Sequence, residues 1–179
     1  VYPGHTEESG LPLLHSREQI ERLMETGGRA VVTADALKKP IAGNFIPVFW
    51  SPAFFETDEA CGAVIESAHP VFWRFPTERY PDYQWKSLLE QSKGADISAF
   101  PETFTPLVEP VPNFFDNNRR SPLFEGRLGN ANLLFCGFDL KAQDLASAHF
   151  RKILADYVAS ADFAPVQKLP RETFLELFS

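Results

Sequence analysis

Residues 11–33, LPLLHSREQIERLMETGGRAVVT, decide how the rest of this chain is read. Residues 11–14 are a short apolar run of strand type, and Ser16 with Gln19 has the form of a capping box, which satisfies amides of a first helical turn. Ile20, Leu23 and Met24 then share one helical face, and Gly27-Gly28 stops the helix. Residues 29–33, RAVVT, give a buried strand. A strand, a helix and a strand in so few residues are the signature of a parallel sheet with a crossover helix.

Downstream the order loosens. Residues 34–55 carry Pro40, Gly43, Pro47 and Pro52, and NFIPVFW (44–50) reads as a broken strand or an edge segment. A short strand, CGAVIE (61–66), leads into HPVFWRFPTERYPDYQW (69–85), which sets seven aromatic or imidazole rings among three prolines. Proline fixes φ and removes an amide donor, so this stretch predicts a rigid aromatic loop that either closes a core or presents a binding face. Asp82 is placed to cap a helix in which Trp85, Leu88 and Leu89 share an inward face and which Gly94 ends. Residues 95–98 are a strand candidate. Residues 106–115 are held extended by prolines, and a polar turn follows.

The clearest hairpin runs from 123–128 through Gly129-Asn130 to 131–138, since glycine takes up the positive φ of a tight primed turn freely. Its second arm is apolar on both faces and belongs inside the sheet. Phe150, Ile153, Leu154, Tyr157 and Val158 recur at helical spacing, and residues 171–178 form a last helix candidate after Pro170.

The 179 residues suit one α/β domain from residue 11 on, with 1–10 as the end of a preceding domain or a linker. A hydrophobic share of 44% with fifteen scattered prolines argues for a packed core rather than disorder. The net charge of −7, with no block of Lys or Arg, argues against nucleic acid and against anionic membrane surfaces. No apolar run reaches the length of a membrane span.

The motifs HPVFWRFPTE (69–78), WKSLL (85–89) and PLVEPVPNFFDNNRRSPLFEGRLGNANLLFCGFDL (106–140) resemble the C-terminal, glutamine-amidotransferase-like domain of large bacterial glycoside hydrolases of the family 2, β-galactosidase-like type. The resemblance covers roughly residues 11–163, and the opening Val1-Tyr2-Pro3 is similar to the end of the β-sandwich strand that precedes such a domain. It implies a flavodoxin-like, class I amidotransferase-like three-layer sandwich, mostly parallel with an antiparallel hairpin near the C-terminal part. It further implies an accessory domain that cleaves nothing itself, in a periplasmic or extracellular enzyme. The implied partners are the other domains of that glycoside hydrolase, carbohydrate, or a second copy of the chain in a homo-oligomer. The turn Gly129-Asn130-Ala131-Asn132 departs from the glycine- and lysine-rich turn of relatives, and neither cysteine stands in a Gly-x-Cys-x-Gly elbow.

Read for chemistry, the residues offer few constellations. Cys61 with His69 could be drawn as a thiol and its base, whereas Cys136 lies in the most apolar strand, where desolvation disfavours a thiolate. Glu78, Glu109, Asp116, Glu125 and Asp139 are carboxylates that no spacing pairs for glycoside cleavage. The four histidines have no metal-ligand spacing, the Asp116-Asn117-Asn118 run lacks the rest of a calcium loop, and no phosphate loop is present, so no cofactor is expected. Sugar recognition needs rings to carry apolar sugar faces and polar groups to meet hydroxyls. Trp50, Trp73, Trp85, Asn113 and Asp116 supply those types, with Trp73 expected nearest the surface. Asp139 ends a buried strand, where open α/β sheets bind ligands, and where it would otherwise cap a turn. Three functions are therefore carried forward: an accessory domain, a carbohydrate-binding module, and a divergent thiol hydrolase of the amidotransferase-like class.

Overall fold

A computed structural model describes residues 12–43, 60–112 and 117–179. Its centre is a six-stranded sheet built from β1 (Leu13–Leu14), β2 (Gly28–Thr33), β4 (Ala60–Ile65), β6 (Val108–Pro112), β8 (Leu123–Leu128) and β9 (Ala131–Cys136), in the order β1-β2-β9-β8-β6-β4. A smaller antiparallel sheet joins β3 (Ile41–Ala42), β5 (Lys93–Asp96) and β7 (Arg120–Ser121).

The opening unit forms as its residues dictate. The Ser16 hydroxyl accepts from Gln19 N at 3.3 Å and caps α1 (Arg17–Thr26), while Gln19 Oε1 accepts from His15 N at 2.7 Å. Gly27, at φ 80°, closes the helix by donating to Leu23 O. β1 and β2 run parallel, and β2 runs parallel to β9 from Gly28↔Ala131 to Thr33↔Cys136.

Beyond these three strands the flavodoxin-like expectation is overturned. The pairs β9·β8, β8·β6 and β6·β4 are all antiparallel, so the sheet is mixed rather than mostly parallel, and the second sheet has no place in that sandwich. The crossover helix α1 sets up the parallel pair β1·β2, and β9 joins β2 in parallel after the intervening strands. The hairpin at Gly129 and Asn130 then reverses the chain, so β8 points against its neighbour. β6 lies between β8 and β4 despite Pro110 and Pro112, and its ladder with β8 is limited to Val108↔Leu123. A proline has no amide to continue a ladder. The Ser121 hydroxyl bridges the gap, 2.7 Å from Val108 O and 2.9 Å from Leu123 O, and accepts from Leu123 N.

Alternation along the strands divides the core between the two sheet faces. Val31, Leu134 and Cys136 face one cluster, with α2 (Trp85–Glu90), α3 (Leu145–Ala159) and the aromatic loop over them. Ala30, Val32, Leu133 and Phe135 face the other, under α1 and α4 (Arg171–Glu176). α2 departs from expectation at both ends: its N-cap is Gln84, with no side-chain cap bond, while Asp82 Oδ1 accepts from Gln84 N at 3.2 Å in the turn before it, and the helix ends at Glu90, with Gly94 in β5. There Gly94 lies against Arg120 and Ser121 of β7.

Candidate functional site

The aromatic loop is two-sided. Pro70–Phe72 form a single 3-10 turn, capped by His69 Nδ1 accepting from Val71 N. The turn sends Phe72 and then Phe75 inward, where they meet Trp85 at centroid distances of 5.7 and 5.2 Å, and Phe75 meets Phe150 at 5.1 Å. Trp85 is fully buried, and its indole N–H donates to Thr77 Oγ1 at 2.7 Å, satisfying the polar handle that a buried tryptophan carries. Gln84 Nε2 donates to Pro76 O and closes the loop on itself. On the opposite side Trp73, Tyr80 and Tyr83 stand 68%, 64% and 88% exposed.

Beside Trp73 runs a shallow groove of about 150 Å³, lined in part by Pro70, Arg74, Asp156, Tyr157, Ser160 and Asp162. Arg74 Nη1 pairs with Asp156 Oδ2 at 3.1 Å across it. Beneath the groove, Glu125 of β8 is buried, accepts from the Tyr157 hydroxyl at 2.8 Å and lies 3.4 Å from His69 Nε2. Desolvation, together with the Glu125 carboxylate, pushes the Tyr157 phenol well above its ordinary range. Glu125 stood among the candidate carboxylates by type alone. Its partners come from the aromatic loop and from α3, far away in sequence, so no spacing pointed to them.

This trio holds a fold together better than it moves protons. His69 accepts from an amide at Nδ1 and faces a carboxylate at Nε2, so neither ring nitrogen is left to take a proton from a nucleophile. Burial pushes the Cys136 thiol up to about 12, which keeps it protonated at neutral pH. The side chain of Cys61 lies outside the described residues, as do Trp50, Asn113 and Asp116. Trp73 and Trp85 therefore do not share a surface: one faces outward and the other lies in the core. Among the described residues no group of three or more His, Cys, Asp and Glu side chains could hold a metal ion, and no helix is long and apolar enough to cross a membrane.

Asp139 lies elsewhere, at a cleft of about 340 Å³ outside the carboxyl ends of β1, β2 and β9. Its Oδ1 accepts from Lys141 N at 2.8 Å, so it caps the turn after β9. His15, Asp35, Lys93, Lys141 and Arg151 also line this cleft. Sequence reasoning marked the end of the strand but not these residues, which are brought together by the parallel register of β1, β2 and β9, by β5 and by α3.

Comparison with curated proteins gives no match. A family model described as a domain of unknown function, DUF8487, matches residues 14–179, most of the chain, and the chain belongs to that family.

Proposed function

We propose that this chain is a non-catalytic accessory domain of a larger glycoside hydrolase of the family 2, β-galactosidase-like type, and that it rests the outer side of its aromatic loop on the body of that enzyme. One observation carries the reading: Trp73, Tyr80 and Tyr83 are exposed on a loop whose inner rings are locked into the core. Tryptophan and tyrosine on a rigid support are the residue types that anchor protein interfaces, because they bury much area at little entropic cost. The commitment of both His69 nitrogens and the protonated Cys136 support a domain that performs no bond cleavage. The motifs at 69–78, 85–89 and 106–140 supply the type of enzyme. Hydroxyl-radical footprinting tests it: the three rings are oxidised readily in the chain alone and protected in the intact enzyme. Equal oxidation in both would refute the docking.

The groove beside Trp73 favours a second reading, a carbohydrate-binding module. There an exposed indole lies next to Arg74, Asp156 and Asp162, the polar types that meet sugar hydroxyls. In that case galactosides shift the tryptophan fluorescence and Trp73→Ala abolishes the shift. No response across a broad glycan panel removes this reading and leaves the first intact.

A further inference from the structure

We propose that the cleft at the carboxyl ends of β1, β2 and β9 binds a small organic anion, whose carboxylate or phosphate is held by Lys93, Lys141 and Arg151 while its apolar body lies on Leu13, Phe138 and Leu140. The location follows from the sheet. Where parallel strands end side by side, their following loops diverge and leave a crevice, the place where open α/β sheets take ligands. Here the three parallel strands are neighbours, and the loops after Leu14, Thr33 and Cys136 enclose about 340 Å³. That is the lower end of the range for small-molecule pockets, roughly 300–1,000 Å³, and suits a ligand of one ring.

The lining is positive in a chain that is negative as a whole. Three lysine and arginine cations face two carboxylates, Asp35 and Asp139, although the chain carries a net charge of −7. Asp139 is engaged locally, accepting from Lys141 N at 2.8 Å, and Asp35 Oδ2 lies 3.9 Å from His15 Nδ1, beyond hydrogen-bond distance. The cations are not so engaged. Among the described residues none of the three pairs with a carboxylate. Arg151 Nη1 donates to Leu140 O at 2.5 Å, which fixes the guanidinium against the loop after β9 and leaves most of its five donors free for a planar anion. Its stem is anchored by α3, whose neighbouring Phe150 and Ile153 are buried.

The floor is preformed. Gly137 N donates to Pro122 O and Gly137 O accepts from Lys93 N, each at 2.7 Å, so the end of β9 is fixed on both sides. A Cβ at Gly137 would lie 1.8 Å from Lys93 O, so only glycine permits the approach that brings Lys93 to the cleft. His15 is held by Thr33 Oγ1, 2.9 Å from its Nδ1. A rigid apolar wall with unpaired cations at its rim binds an anion without prior rearrangement.

Isothermal titration of the whole chain at low salt tests this with phenyl phosphate, benzoate, inorganic phosphate and benzyl alcohol. Phenyl phosphate or benzoate binds, about tenfold or more tightly than inorganic phosphate or benzyl alcohol, because only these two probes combine a charge with an apolar body. Which of the two binds tighter distinguishes a phosphate monoester from a carboxylate as the natural group. Arg151→Gln weakens binding by about tenfold, and Arg151→Lys by less. Lys141→Gln, on an exposed loop and without consequence for folding, weakens it several-fold, and added salt does the same to the unmodified chain. Trp73→Ala leaves it unchanged, so this site stands or falls apart from the docking face. Failure of both organic anions to bind at about 10 mM would overturn the proposal, as would equal affinity for benzyl alcohol or unaltered affinity in both charge-removing variants.

Discussion

Tyr157→Phe removes one oxygen atom from the core and nothing else, which makes it the cleanest probe of the trio under the Trp73 groove. The phenol donates to a buried carboxylate at 2.8 Å, and among the described residues Glu125 keeps only His69, at 3.4 Å, as a side-chain partner when it is gone. A hydrogen bond to a charged acceptor contributes about 1.5–3 kcal/mol. Tyr157 is 6% exposed, so water does not replace the lost donor, and the expected loss lies within that range. The pH dependence sharpens the test. Burial first and Glu125 second raise the phenol above its unfolded value of about 10. The folded state therefore keeps its proton where the unfolded state has lost it. The stabilisation is complete below pH of about 10 and declines above it by up to about 1.4 kcal/mol per pH unit. Urea unfolding of both proteins from pH 7 to 11 should show a constant difference up to pH of about 10 that then narrows. A difference below about 0.5 kcal/mol at pH 7, or one that widens in alkali, would refute the buried pair.

Other outcomes follow from the packing. Trp85→Ala should cost about 3–5 kcal/mol in unfolding free energy, because the fully buried indole is surrounded by Phe72, Phe75, Phe138 and Phe150, whereas exposed Trp73→Ala should stay within about 0.5 kcal/mol. Cys136, its thiol at about 12, should resist iodoacetamide at neutral pH until the chain is unfolded, as mass spectrometry of the labelled peptide would show. Gly137→Ala should lower the thermal midpoint through a loss of about 1–3 kcal/mol or more, since its methyl would meet Lys93 O, a backbone atom that cannot swing aside.

Short-range physics was legible in the sequence. Ser16 and Gly27 mark the ends of α1, and Gly129-Asn130 closes the hairpin with Leu128 opposite Ala131, because capping and turn chemistry depend on neighbours in the chain. Strand direction beyond the first unit and the hairpin was not legible. The opening strand-helix-strand unit invited a mostly parallel sheet with one antiparallel hairpin, but β6 also pairs antiparallel with β8, and β4 with β6. The end of α2 was misplaced because Gly94 resembles a helix stop, whereas it lies within β5, on the strand that pairs with β7. At the site, the sequence identified an aromatic loop with Trp85 inward and Trp73 toward the surface, while the inward course of Phe72 and Phe75 follows from the 3-10 turn at Pro70–Phe72. Glu125 was visible by type but not its partners, and Arg151 was not singled out at all, since the neighbours of both are set by the packing of α3 on the sheet.

The proposed accessory role is tested most directly by the double variant Trp73→Ala/Tyr83→Ala, with the unfolding midpoint of this domain measured in the chain alone and within the intact enzyme that the proposal makes its parent. Both rings are exposed, so the midpoint of the chain alone should stay unchanged, while loss of two interface anchors should lower it in the intact enzyme. A midpoint that falls in the chain alone, or that moves in neither setting, would contradict the docking role.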